Sequence, residues 1–164
     1  VDAMVPRRSR VLDAGCGPGR VGGHLARMGH EVIGVDIDPV LISAAEQDHP
    51  GSTWLAADLA ELDLATVGIA EGFDVVVCAG NVMTFLDPDT RLPVLDRLGK
   101  HLRPGGRIVT GFGAGRDYKF TDFFADVQQA GLVAEVTLSS WDLRPFTVDS
   151  TFLVAVLARS ESPA

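Results

Sequence analysis

Apolar and polar positions along the chain alternate between two periods. Short runs of contiguous apolar residues, as in Val11-Leu12 and Val75-Val76-Val77-Cys78, are followed by stretches with helical spacing. Strands are expected at Val11–Ala14, Glu31–Val35, Thr53–Ala56, Phe73–Ala79 and Arg107–Thr110. Between them, helices are expected from about Pro18 or Gly19 to Met28, from Pro39 to about Gln47, and over Asp89–Leu102. A further helix is expected over Phe120–Ala130. Strand alternating with helix is the signature of a parallel sheet built from βαβ units.

The phase of each helix can be read in advance. Val21, Leu25 and Met28 form the stripe of the first, with Gly29 as its stop; Leu41, Ala44 and Ala45 face the sheet from the second. Asp38 is set to cap that second helix, with Pro39 at its first position. Pro93 is expected in the first turn of the third helix, where a missing N–H removes no bond. Phe120, Phe123, Phe124 and Val127 form the last stripe, stopped by Gly131. Glu61–Ala70 reads as a short helix or an irregular segment. Near the end the pattern changes: Leu132–Ser140 and Ser150–Ala158 are strand-like, and the link is too short for a crossover helix, so they pair antiparallel. Val1–Ser9 is a lead-in.

Composition narrows the function classes. A chain of 164 residues with 46% hydrophobic residues supports a single domain with one sizeable core. No apolar run approaches the ~20 residues that cross a bilayer, and no secretory segment is evident. The formal charge of −8 argues against a nucleic-acid partner. Cys16 and Cys78 match no metal or redox spacing, read as buried small hydrophobes, and favour a cytoplasmic setting.

The candidate chemistry gathers at the ends of the strands. Gly15, Gly17 and Gly19 form G-x-G-x-G in a turn between the first strand and the first helix. The dinucleotide fingerprint would place a glycine where Arg20 stands. Asp36 ends the second strand and is placed to accept from a ribose diol. Asp58 ends the third and could accept from an adenine amino group or cap the next turn. Backbone carbonyls at Cys78 and Ala79 could receive an ammonium, with Asp13 adding negative charge or bonding nearby backbone N–H groups. The implied ligand carries ribose, adenine and a cationic amine.

With these residues assembled, the chain resembles the class I S-adenosylmethionine-dependent methyltransferases. Val11–Arg20 matches the first motif, Val32–Asp38 the second, Ala57-Asp58-Leu59 the adenine motif, Phe73–Gly80 the fourth, and Leu102-Arg103-Pro104-Gly105-Gly106 the lead into strand five. The resemblance implies a three-layer αβα sandwich around a seven-stranded, mostly parallel Rossmann-like sheet, order 3-2-1-4-5-7-6, strand seven antiparallel. It implies S-adenosylmethionine as cofactor, S-adenosylhomocysteine as product, and no metal. Gly15, Cys16, Gly17 and Gly19 would run under the methionine end. Asp36 would hold the ribose, Ile37 pack beside the adenine, and Asp58 and the Leu59 N–H, flanked by Ala57, bind its polar edge. The carbonyl of Cys78 or Ala79 would hold the ammonium.

The same resemblance leaves the acceptor open. Asn81 and Met83 are expected to face it, and no catalytic residue is assigned. Neither an Asn-Pro-Pro-Tyr-type signature nor a Pro-Cys follows the fourth strand, which points to a small-molecule acceptor. A homodimer is left open. Relatives carry a covering helical segment ahead of the first motif; the ten residues before Val11 lead to the expectation of a wide, solvent-open site. Gly111–Gly115 reads as a mobile rim loop, and Tyr118, Trp141 and Arg144 as pocket lining or ordinary packing. His24 is expected to be partly exposed, and His101 to meet the carbonyls ending its helix. The competing readings are a non-catalytic cofactor-binding module and a nucleotide-dependent oxidoreductase.

Overall fold

The computed structural model describes residues 4–160; the first three residues of the expected lead-in lie outside it. The elements in order are β1 (Arg10–Ala14), α1 (Arg20–Arg27), β2 (Glu31–Asp36), α2 (Pro39–Asp48), β3 (Thr53–Ala56), β4 (Phe73–Cys78), α3 (Val82–Phe85), α4 (Pro88–Lys100), β5 (Leu102–Gly113), α5 (Phe120–Gln129), β6 (Leu132–Leu138) and β7 (Phe152–Arg159). They build one seven-stranded sheet in the order β3-β2-β1-β4-β5-β7-β6. β1 to β5 are parallel. β7 inserts antiparallel between β5 and β6. The ambiguous stretch after β3 holds two single turns of 3-10 helix, Leu59–Glu61 and Leu64–Val67.

Helices on both faces make the central strands apolar throughout, as parallel sheets require. In β4, Val75 and Val77 enter the core layer containing Leu25 of α1, Ile42 of α2 and Trp54. Val76 and Cys78 enter the opposite layer, with Leu95 and Leu98 of α4 and Phe123 of α5. The helix ends follow local rules. Asp38 accepts from the Val40 N–H at 2.8 Å with Pro39 behind it. α1 closes through a left-handed Gly29, whose N–H bonds Ala26 O while the His30 N–H bonds Leu25 O. At the end of α4 the His101 ring lies 2.7 Å from Arg97 O through Nδ1 and accepts from Leu64 N–H at Nε2.

Several expectations shift. Met28 is 55% exposed, because α1 turns Gly22, Gly23 and Leu25 to the sheet instead. In α2 Ala45 is buried as expected, but its partner is Ile42; Leu41 and Ala44 are only partly buried. α4 starts at Pro88, which takes the helix-start role and leaves Pro93 inside the helix. Gly111-Phe112-Gly113 is strand, not loop: these residues pair with Val154, Leu153 and Phe152 of β7. Gly111 is required there because a Cβ would stand 2.6 Å from the Trp141 indole. Only residues 114–119 remain as the connection to α5. Tyr118 is buried, its ring stacked on Phe112 with centroids 5.6 Å apart.

Candidate cofactor-binding site

The parallel order 3-2-1-4 puts the carboxyl ends of four strands along one rim, with the chain reversing direction across the sheet at β1 and β4. Such a switch point is where open α/β sheets bind ligands. The glycine turn leaves β1 there and is strapped to its neighbour: the N–H groups of Gly15 and Cys16 both donate to Val35 O, at 2.8 and 3.0 Å. Gly17 has φ +53° and open space where a Cβ would be, so the backbone is bare toward the rim. Gly15 also has positive φ, and its missing Cβ is replaced by the Val82 methyls, 2.5 and 2.7 Å from that position.

Asp36 organises the rim. Its Oδ2 accepts from the Gly17 N–H at 2.8 Å and its Oδ1 from the Asp38 N–H at 3.0 Å. One carboxylate therefore joins the glycine turn to the start of α2. The next strand is tied in by the Ala57 N–H, which donates to Asp36 O at 2.9 Å. Asp58 caps the following turn through Oδ1, accepting from Ala60 N–H at 2.8 Å.

Of the residues expected at the site, Gly15, Asp36, Ile37, Asp58 and Leu59 meet around one cleft of about 310 Å³. The opposite wall is Val82 and Phe85 of α3 with Leu86, Asp87 and Thr90. Sequence reasoning missed that wall; a helix of one turn leaves no periodicity to detect. Ile37 and Phe85 are 70% and 71% exposed, so two apolar side chains flank an opening to solvent. Three carboxylates, Asp36, Asp58 and Asp87, and no Lys or Arg stand in the wall. A larger cleft of about 600 Å³ lies at the other ends of β1–β3, beside Arg10, Glu31 and Thr53. It is at the wrong end of a parallel sheet to hold a cofactor.

The remaining candidates support the cleft from behind. Asp13 is 2% exposed and accepts from the Gly22 N–H at 2.8 Å. Burial, opposed by that hydrogen bond and reinforced by the charge of Asp36, raises its carboxyl from 3.8 to about 7. Cys16 packs among apolar side chains, and burial pushes its thiol well above the ordinary range. Burial likewise raises Cys78 to about 12, so neither sulfur is a thiolate near neutrality. Cys78 O accepts from Thr110 Oγ1 at 2.9 Å. Gly19 caps α1 with φ +78°.

The two residues expected to face the acceptor behave differently. Asn81 sits at φ +65° at the head of α3, and its Oδ1 accepts from the Gly113 N–H at 2.9 Å, tying the β4 and β5 ends together. Met83 is 1% exposed and packed in the core, because α3 turns Val82 and Phe85 to the cleft. Of the other pocket candidates, Arg144 pairs with Asp142 at 3.1 Å.

A family model described as a methyltransferase domain matches residues 11–106, more than half of the chain. The chain belongs to the class I S-adenosylmethionine-dependent methyltransferases. Within this methyltransferase family it is similar to the crystal structure of a TehB-like SAM-dependent methyltransferase from Corynebacterium glutamicum. The two share 48% identity and a TM-score of 0.90, over 97% of this chain and 84% of that one. An uncharacterized methyltransferase of Mycobacterium bovis is 38% identical over 112 residues, 66% of this chain and 53% of the relative. Magnesium protoporphyrin IX methyltransferase from Synechocystis, solved with bound SAM, shares the methyltransferase fold at 22% identity and TM-score 0.71, over 93% of this chain and 70% of that one. The chain spans about half the length of the curated relatives it matches. No helix among the described residues is long and apolar enough to cross a membrane.

Proposed function

We propose that this chain binds S-adenosylmethionine in the Asp36 cleft and transfers its methyl group to a nucleophile of a small molecule by in-line displacement. The observation that carries the reading is the charge of the cleft wall: three carboxylates and no cation. Such a wall repels a pyrophosphate and suits a ligand bearing a sulfonium and an ammonium. That separates the reading from a nucleotide-dependent oxidoreductase.

The residues fit the cofactor part by part. Each Asp36 oxygen accepts one backbone N–H, and a carboxylate offers about four acceptor sites, so both oxygens keep room for ribose hydroxyls. Ile37 and Phe85 would enclose the adenine between apolar faces. The Leu59 N–H and the Asp58 carboxylate would read its polar edge. The carbonyl of Cys78, which accepts from Thr110 Oγ1 and keeps a second lone pair, or that of Ala79 would hold the ammonium. Bare backbone at Gly17 would let the methionine end pass close to the turn. When bound, the cofactor supplies an activated methyl group; the chain's part is alignment and exclusion of water. A general base is needed only where the acceptor must lose a proton, and none is assigned. The reading carries with it a cytoplasmic setting and no nucleic-acid partner.

Calorimetric titration with S-adenosylhomocysteine and, in parallel, NADH tests the binding half. Micromolar binding of the first alone is expected; preference for NADH would overturn the proposal. Incubation with methyl-labelled S-adenosylmethionine and a metabolite extract tests transfer. Tight binding without any labelled product would favour a binding module.

A further inference from the structure

Arg91 is a buried charged side chain that the cofactor site does not use. It lies on α4 one residue beyond Thr90 and one turn beyond Asp87, both of which wall the cleft. It is only 7% exposed. Its guanidinium carbon stands 4.3 Å from the centroid of the Tyr118 ring, which also packs on Phe112, at the end of β5, and on Phe123. Among the described residues no carboxylate is paired with it, and its Nε–H is buried without a hydrogen-bond partner. One acid of this cluster, Asp126, is engaged by the Tyr118 hydroxyl at 2.5 Å. A buried donor on a fixed cation is costly to leave unpaired, and stacking on one ring offsets only part of that cost.

A second cation stands on the same side. Arg116, exposed in the 114–119 connection, lies over the Phe85 ring at 5.7 Å, and Phe85 is a wall of the cleft. Its carbonyl accepts from the Tyr118 N–H at 2.7 Å, so the two arginines are linked through one short segment. Asp36 and Asp58 stand on the cofactor side of the cleft; across it, beyond Asp87 at the head of α4, the β5 side carries these two guanidinium groups. Resting on the methyltransferase reading above, the geometry points to a methyl acceptor that bears an oxyanionic group, such as a carboxylate. Arg91 receives that group through its planar fork of donors, and Arg116 draws it in from solvent. The acceptor is then held by its anion on the β5 side, with its nucleophile turned toward the cofactor cleft.

The test uses the full chain labelled with nitrogen-15 in arginine and saturated with S-adenosylhomocysteine. Benzoate serves as the oxyanion probe and benzamide as its neutral counterpart. One exchange-protected arginine Nε–H resonance, absent in Arg91→Lys, is expected to move saturably with benzoate and not with benzamide. Benzoate binding is expected to weaken about tenfold in Arg91→Lys, which keeps the charge but loses the fork, and in Arg116→Ala. Should Arg91→Lys fail to fold, the Arg116→Ala titration and the wild-type resonance decide. The inference is overturned if the protected resonance ignores benzoate, or responds equally to benzamide, while S-adenosylhomocysteine still binds. Failure of S-adenosylhomocysteine itself to bind would instead remove the underlying methyltransferase reading, and the proposal with it.

Discussion

Asp13 offers the sharpest quantitative test. Its carboxyl is held at about 7 instead of 3.8 by burial, with the Gly22 N–H pulling the other way and Asp36 adding to the rise. A carboxyl raised in the folded state binds more protons folded than unfolded, so stability falls as pH rises through the interval between the two values. Below pH 3.8 both states are protonated and the group contributes no penalty. Above about 7 both are ionised and the fold carries the full penalty of a buried charge, on the order of 4 kcal/mol at one pKa unit per ~1.4 kcal/mol. Asp13→Asn removes the charge and keeps an oxygen for the Gly22 N–H. The measurement is urea unfolding of both proteins at half-unit steps from pH 5 to 8.5, followed by the fluorescence of Trp54 and Trp141. The stability of Asp13→Asn relative to wild type is expected to climb with pH and level off above about 7. Any packing cost of the asparagine is independent of pH and drops out of the slope. A difference that stays flat between pH 5 and 8 would refute the reasoning.

Three further outcomes are expected. Asp36→Ala should weaken S-adenosylhomocysteine binding by about tenfold to a hundredfold in calorimetry, because it removes the ribose acceptor and frees the Gly17 N–H that Asp36 now holds. Gly106→Ala should lower stability by about 1–3 kcal/mol in denaturant unfolding; the added Cβ would stand 2.7 Å from Phe73 O and 3.0 Å from Arg103 O, and backbone cannot step aside. Pro93→Ala should raise the melting temperature, since an N–H returns to the interior of α4 and helix propensity improves, with a net gain of about 1 kcal/mol after the unfolded chain regains its freedom.

Where the structure departs from the sequence pattern, local ambiguity and distant contacts explain why. In α2 Ile42 rather than Leu41 joins Ala45 against the sheet, because Leu41, Ile42, Ala44 and Ala45 are all apolar and which of them is buried depends on how the helix docks. Pro93 does not belong to a first turn: counted from Pro88, or even from Asp89, it lies past the four orphan N–H groups of the helix start. Gly111 and Gly113 looked like loop because glycine is rare inside strands; the Trp141 and Phe152 rings that lie against β5 come from beyond β6 and from β7, and nothing local announces them.

The sequence alone determined the order of strands and helices, the glycine turn, and the acids at the ends of β2 and β3. These depend on interactions within a few residues: apolar runs long enough to be buried on both faces, caps such as Asp38, and stops such as Gly29 and Gly131. Through the resemblance that these motifs carry, it also anticipated the 3-2-1-4-5-7-6 sheet. Only the tertiary structure decided what surrounds the acids. It bonded Asp36 to the Gly17 N–H, buried Met83 while turning Val82 and Phe85 to the cleft, and stacked Arg91 on Tyr118 with its Nε–H unpaired. Such pairings join residues far apart in the chain, and their energies come from burial and from contacts that exist only once the sheet has closed around them.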